Sequence, residues 1–342
     1  MKPTHSTPRL ASPAAALLPL LLLVNLLASP SRLPFPAAAA DPQPTPSRRI
    51  LVLATFATPH SWTLNVAGPD ADVELLLPGD VGPHDFQLKP QDLRRIRKAD
   101  VLIANGLGME SWLDKAIRNN ARDAAKRVVR VTDGIPKDQL IYHLPELDVA
   151  DPMKGSVKGH GHTHDHDHEA AGEAPNPHVW LDPTLARHCI SNIVVALSAV
   201  DPQHQEGYVA RGNAYLGRID ALHAEMTAAL QPHAGKPIVT FHDAFPYLCR
   251  RYQIDLVGVV EEVPAVDPSP KYLARLSAAI RARKVGVVFS EPQFNPRLVR
   301  QLSKDLGIKV AELDVLETGK PGPALYEEGM RRNLATLTTA LP

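Results

Sequence analysis

The sequence predicts an α/β protein of two lobes, each with a mainly parallel sheet flanked by helices, joined by one long rigid helix. Two observations carry this expectation. In both halves of the 342-residue chain, short apolar runs alternate with amphipathic segments, the pattern left by strand–helix–strand units. Between the halves, residues 205–230 contain no proline and place Tyr215, Ile219, Leu222, Met226 and Leu230 on one helical stripe.

The first forty residues have the layout of a secretory signal. Lys2 and Arg9 supply positive charge, Leu17 to Leu27 is an apolar run, and Ala38-Ala39-Ala40 offers a small-residue cleavage site before Asp41. Cleavage after Ala28 is the alternative. Pro19 and Asn25 interrupt a run already short for a membrane span. No cysteine stands near it to carry a lipid, so the expected product is a soluble exported protein, periplasmic in a double-membraned bacterium, with a Pro-rich leader over residues 41–48.

Residues 49–204 read as the first lobe. Ile50 to Ala54 and Val73 to Leu77 are expected strands, Gln91 to Arg97 a helix and Val101 to Asn105 the next strand. A helix over Glu110 to Arg122 and a strand over Val128 to Val131 follow. Order resumes at Pro177 with a helix from Thr184 to Ser198, whose Leu185, Cys189, Ile193 and Leu197 repeat every four residues. Asp201-Pro202 ends it, and residues 205–231 form the link, helical from Gln205 to Leu230. Twenty-six helical residues span about 39 Å at 1.5 Å each, enough to bridge two lobes, although length alone leaves open a helix lying wholly on one.

The second lobe, residues 232–342, repeats the alternation. Strands are expected at Pro237 to Phe241, Ile254 to Val260, Gly286 to Phe289 and Lys309 to Leu313, with helices at Phe245 to Arg251, Pro270 to Arg281, Pro296 to Leu306 and Pro323 to Leu341. Two such lobes form a cleft, and ligands of open α/β sheets sit outside the carboxyl ends of the strands. Zero formal net charge argues against a nucleic-acid binder. The two cysteines, Cys189 and Cys249, lie among apolar residues and read as buried core thiols rather than a disulfide.

The chemistry is announced by the run Gly159-His160-Gly-His162-Thr-His164-Asp-His166-Asp-His168-Glu169. Imidazoles packed at every second position are ligands for borderline transition metals such as zinc. The segment 150–175 around them has almost no large apolar residue and is expected to be mobile. It therefore suits accessory metal capture by His160, His162, His164, His166 and His168, with the tight site elsewhere.

The strand-end rule narrows that site. His242-Asp243 follows the strand ending at Phe241, Asp314 follows the strand ending at Leu313, and His84-Asp85 lies in a Gly- and Pro-rich loop after Leu77. His178 stands where order resumes. Three imidazoles and one carboxylate, from His84, His178, His242 and Asp314, match the four-coordinate N/O ligation that zinc prefers, with water as the alternative fourth ligand. Asp85, Asp182 and Asp243 are candidate acceptors for the ligands' second nitrogens, although helix capping explains Asp182 and Asp243 equally well. His60, His143, His188, His204, His223 and His233 read as structural histidines.

Several dispersed motifs now fall in order: Pro83-His84-Asp85-Phe86-Gln87-Leu88-Lys89-Pro90, Asn105-Gly106-Leu107-Gly108-Met109-Glu110, the His-rich tract, Asn176-Pro177-His178-Val179-Trp180-Leu181-Asp182-Pro183, Phe241-His242-Asp243-Ala244-Phe245 and Phe289-Ser290-Glu291-Pro292-Gln293-Phe294. In this the chain resembles the metal-binding components of bacterial ABC importers, and among them the zinc-specific ZnuA type. The resemblance implies a metal held between two lobes at the positions of His84, His178, His242 and Asp314. It also implies Zn²⁺ as the transported ligand ahead of Mn²⁺, and a membrane permease with a cytoplasmic ATPase as partners of a monomeric, non-catalytic receptor. Pro83 stands where some zinc-type members carry an acidic residue, which directs the fourth-ligand expectation to Asp314. The competing readings are a periplasmic zinc buffer working through the tract, and a zinc hydrolase with Glu291 or Glu261 as base.

Overall fold

The computed structural model describes residues 48–84, 86–120, 128–143, 147, 174–261, 268–292 and 297–341. The signal and leader expectations, the five tract histidines and Asp85 lie outside the described residues. The first lobe holds strands β1 (Ile50–Ala54), β2 (Ala71–Leu75), β3 (Val101–Ala104) and β4 (Val128–Arg130), paired in parallel in the order β2-β1-β3-β4. Its helices are α1 (Ala57–Ala67), α2 (Pro90–Lys98), α3 (Ser111–Asn120) and α4 (Pro183–Val200).

A linking helix α5 (Gln205–Leu230) of 26 residues follows, with the bounds expected from its stripe. Tyr208, Tyr215, Ile219, Leu222, Met226 and Leu230 along it are fully buried. The second lobe comprises β5 (Pro237–Thr240), α6 (Pro246–Arg251), β6 (Asp255–Val259), α7 (Pro270–Ala282), β7 (Val287–Ser290), α8 (Arg297–Leu306), β8 (Lys309–Glu312) and α9 (Leu325–Ala340). Its parallel order β6-β5-β7-β8 repeats that of the first sheet. In both lobes the chain leaves the first strand to one side and returns on the other, so a crevice opens at the carboxyl ends of β1 and β3 and of β5 and β7.

Two departures from the sequence expectation are informative. Helix α1 was not foreseen, because nine of its eleven residues are buried and no single apolar stripe marks it. Strand β2 begins two residues earlier than expected, since Ala71 pairs with Ile50. Leu76 and Leu77 lie past its end but still donate to the Ala54 and Thr55 carbonyls at 2.8 and 3.0 Å.

Side chains of the second sheet separate by the period of two. Ile238, Leu256, Val287 and Phe289 join the core shared with α5, α6, α9 and the first lobe. Val239, Val257 and Val288 face a smaller core under α7 and α8. The larger core runs without a break through both lobes and the linking helix, so the lobes are packed together rather than hung on a hinge. Polar clasps add to it. Trp180 Nε1 donates to the Val315 carbonyl at 2.7 Å, Tyr326 on α9 donates to the Trp180 carbonyl at 2.7 Å, and Arg251 on α6 holds Asp182 through Nε at 2.9 Å to each oxygen. Cys189 and Cys249 are free and buried, and burial pushes both thiols far above their usual range.

Candidate metal centre

Each lobe contributes two side chains to one cluster. His84 comes from the loop between β2 and α2 and His178 from the turn before α4; His242 follows β5, and Glu317 lies in the segment between β8 and α9. Their ligand atoms lie within 4.8 Å of one another. Three of the four are tighter still. His84 Nε2 is 3.2 Å from His178 Nε2 and 3.2 Å from Glu317 Oε1, and His178 Nε2 is 3.3 Å from the same oxygen. Corners of a tetrahedron with the 2.0–2.1 Å arms of zinc–nitrogen and zinc–carboxylate bonds lie about 3.3 Å apart, so this triangle has the dimensions of one face of a zinc polyhedron. Two imidazole lone pairs and a carboxylate oxygen at such separations repel one another unless a cation or protons lie among them.

The electrostatics carry the same tension. Burial raises the Glu317 carboxyl, but the two imidazoles outweigh it and hold the group well below the usual carboxylate range. Burial lowers the His84 pKa, and the adjacent Glu317 reverses this to a net rise. His178 is lowered, chiefly by burial. For His242, burial is overcome by the Glu291 carboxylate, and the pKa rises to about 9.

The partners of the ligating histidines fix which nitrogen faces the cluster. His242 Nδ1 lies 2.6 Å from Glu291 Oε1, which also accepts the His242 backbone N–H at 3.2 Å. An ionised carboxylate only accepts, so Nδ1 carries the proton and Nε2 is left for the cluster. Glu291 follows β7, the neighbour of β5, so it reaches His242 across the crevice between the strands. His178 Nδ1 is held by Asn176 Oδ1 at 3.0 Å. Of the acceptors expected from sequence, Asp243 accepts from Asn176 Nδ2 at 3.0 Å, and Asp182 caps α4 by accepting Thr184 N–H at 2.9 Å. Glu291, weighed from sequence only as a base, has this orienting position instead. Among the other histidines, His188 bonds the Asp133 carbonyl, His204 bonds Asp201 and His223 bonds Tyr252.

The expectation of Asp314 in the cluster is corrected. Its Oδ1 accepts the Leu316 N–H at 2.8 Å and its Oδ2 lies 3.3 Å from Arg332, while its backbone is anchored on both sides by Asn333 of α9. Glu317 occupies the fourth position. Leu316 has φ 65, in the left-handed region, and this bend turns the next residue inward. The bend is held by Thr58 Oγ1 donating to the Leu316 carbonyl at 2.5 Å and by close packing of Leu316 on Gly329 of α9. An acidic residue four places beyond the expected strand end at Leu313, behind Val315 and Leu316, was the signal in the sequence. Only the bend makes it a ligand candidate.

A cleft of about 350 Å³ leads to the cluster, lined by His84, His178, Asp243, Met109, Tyr142 and His143 among others. His84 is the most exposed of the four, at 24%, while the side chains of His178, His242 and Glu317 are nearly or fully buried. Entry to the cluster is therefore past His84. His143 and Ala174 both line this cleft.

Residues 52–340 match the family described as zinc-uptake complex component A, periplasmic. The chain is 30% identical over 269 residues to the high-affinity zinc uptake system protein ZnuA of Bacillus subtilis (strain 168), covering 79% of this chain and 79% of that protein. It is 29% identical over 297 residues to the zinc-binding protein AdcA of Streptococcus pyogenes serotype M3 (strain ATCC BAA-595 / MGAS315), covering 84% of this chain and 55% of that one. The chain thus spans about half the length of the AdcA relatives it matches. Among solved structures, FpvC from Pseudomonas aeruginosa in complex with Mn²⁺ is similar with a TM-score of 0.71 at 25% identity, over 86% of this chain and 98% of that one.

Proposed function

The chain belongs to the zinc-uptake complex component A family, and we propose that it captures Zn²⁺ outside the cytoplasm and hands it to the permease and ATPase of an ABC importer. The observation that carries the metal is the triangle of donor atoms with edges of 3.2, 3.2 and 3.3 Å, completed by His242 from the other lobe. His84, His178, His242 and Glu317 are the proposed ligands. Four protein ligands leave no coordination position for a reacting water, and Glu291 is occupied in holding His242. The chain is accordingly a transport receptor and not a hydrolase.

Residues 1–40 are proposed to direct export, and residues 49–204, 205–231 and 232–342 to act as first lobe, link and second lobe. The His-rich tract, with His160, His162, His164, His166 and His168, is proposed as an accessory metal collector. The manganese held by FpvC keeps that metal as a second reading. It ranks below zinc because three imidazoles and one carboxylate are poor in oxygen for Mn²⁺.

Competition titration of Zn²⁺ against Mn²⁺ with a chromophoric chelator tests this. The wild type is expected to prefer Zn²⁺. His242→Ala and Glu317→Gln each remove a ligand and are expected to weaken Zn²⁺ by about 100-fold or more, the upper end of what loss of an outer-shell partner costs. Asp314→Asn is expected to leave affinity unchanged. A loss at Asp314→Asn equal to that at Glu317→Gln, or none at His242→Ala, would overturn the ligand assignment.

A further inference from the structure

Asn176 makes an unusual number of directed contacts for a residue outside the cluster. Its Oδ1 accepts the His178 backbone N–H at 3.0 Å and lies 3.0 Å from His178 Nδ1. Its Nδ2 donates to the Asp243 carbonyl at 2.7 Å and to Asp243 Oδ2 at 3.0 Å. Its backbone is fixed on both sides as well. The Asn176 N–H donates to the Ile141 carbonyl at 2.7 Å, and its carbonyl accepts Tyr247 Oη of α6 at 2.8 Å.

Donor and acceptor logic leaves one arrangement of these protons. A backbone N–H must donate and a backbone carbonyl must accept, so the amide oxygen is the atom facing His178 and the amide nitrogen the atom facing Asp243. With an oxygen opposite it, His178 Nδ1 carries the ring proton, and Nε2 presents its lone pair to His84 and Glu317. The same amide reaches Asp243, the neighbour in sequence of His242. One side chain thereby ties the ring orientation of a first-lobe ligand to the backbone that carries a second-lobe ligand.

We propose that Asn176 is a positioning residue for zinc: it locks His178 in the tautomer that faces the metal and clasps that ligand to the second lobe through Asp243. This rests on the ligand reading above and adds to it a residue that does not touch the ion. Loss of an outer-shell partner of this kind costs about 10- to 100-fold in metal affinity. The two halves of the amide are separable. Asn176→Ala removes both, whereas Asn176→Asp keeps the acceptor for His178 and sets a carboxylate against that of Asp243.

The test uses the full mature chain, with Zn²⁺ as the probe. It reads affinity by chelator competition, release by stopped flow into excess chelator, and the His178 tautomer by ¹⁵N chemical shifts of the ring. Asn176→Ala is expected to bind Zn²⁺ about 10- to 100-fold more weakly and to lose the Nδ1–H signature of His178. Asn176→Asp is expected to restore that signature and to release Zn²⁺ faster than wild type. Wild-type affinity or an unchanged His178 signature in Asn176→Ala, beside loss of tight binding in His178→Ala, overturns the proposal and leaves the ligand reading standing. Tight binding retained in His178→Ala overturns the ligand reading itself. Should Asn176→Ala not fold, Asn176→Asp decides alone: wild-type release, or a lost signature, refutes the clasp.

Discussion

Replacing Gly329 by alanine probes how a helix with no metal ligand positions Glu317. A Cβ on Gly329 would lie 2.2 Å from Leu316 Cδ2, 3.2 Å from Cδ1 and 3.3 Å from Cγ. Ordinary carbon contacts are about 3.5–4.0 Å, so the Leu316 side chain must move by more than about 1 Å. Overpacking of this kind costs about 1–3 kcal/mol, offset by the roughly 0.5–1 kcal/mol that alanine gains over glycine inside a helix. Leu316 is the residue with φ 65 whose bend aims Glu317 at the cluster, so part of the strain is felt at the ligand. Each 1.4 kcal/mol of strain relieved when metal leaves weakens binding tenfold, and about tenfold is the working expectation.

Gly212→Ala is the control. A Cβ there would meet Val194 Cγ2 at 2.4 Å, a comparable overlap between α5 and α4 that involves none of the four ligands. Both variants are expected to melt about 2–6 °C lower in the metal-free form, and only Gly329→Ala is expected to lose zinc affinity. Thermal unfolding by circular dichroism and chelator competition at 25 °C read the two effects. Equal zinc affinity in the two variants would refute the idea that the Leu316 bend sets the Glu317 position, and an unchanged melt in Gly329→Ala would refute the close approach itself.

Three further outcomes are expected. Metal binding needs unprotonated Nε2 atoms, and the apo pKa values of His84 and His242 are raised, that of His242 to about 9. Zinc affinity is therefore expected to fall as pH falls from about 9, with about one proton released per zinc at pH 7.5; calorimetry in buffers of different ionisation heat would show no such release if His242 were neutral. Deleting residues 155–172 is expected to leave one tight zinc site, whereas loss of all tight binding in the titration would favour a buffer working through the tract. Asp182→Ala removes the α4 cap and the Arg251 partner, and about 2–3 kcal/mol of stability is expected to go with them in urea unfolding. A loss below about 0.5 kcal/mol would mean that the cap and ion pair contribute little.

The sequence by itself determined the elements whose signals are local. The stripe from Tyr215 to Leu230, bounded by Pro202 and Pro232, is enough to define α5 to the residue, because helical periodicity and proline act within a few turns. Parallel sheets follow from the alternation of strands and helices, and the strand-end rule finds His242 and leads toward His84 because the loops leaving parallel strands open at the carboxyl edge. Tertiary structure alone decided the rest. Helix α1 is buried on nearly all sides and so has no polar face to announce it. The fourth position went to Glu317 rather than Asp314 because of a left-handed bend at Leu316 held by Thr58 from α1 and Gly329 from α9, residues more than 250 positions before it and 13 after it in the chain. The same is true of Glu291, whose carboxylate meets His242 from 49 positions along the chain, and of the Asn176 amide nitrogen, which meets Asp243 from 67 positions away. A residue type can be read where it stands, but the direction of its side chain is set by contacts far along the chain.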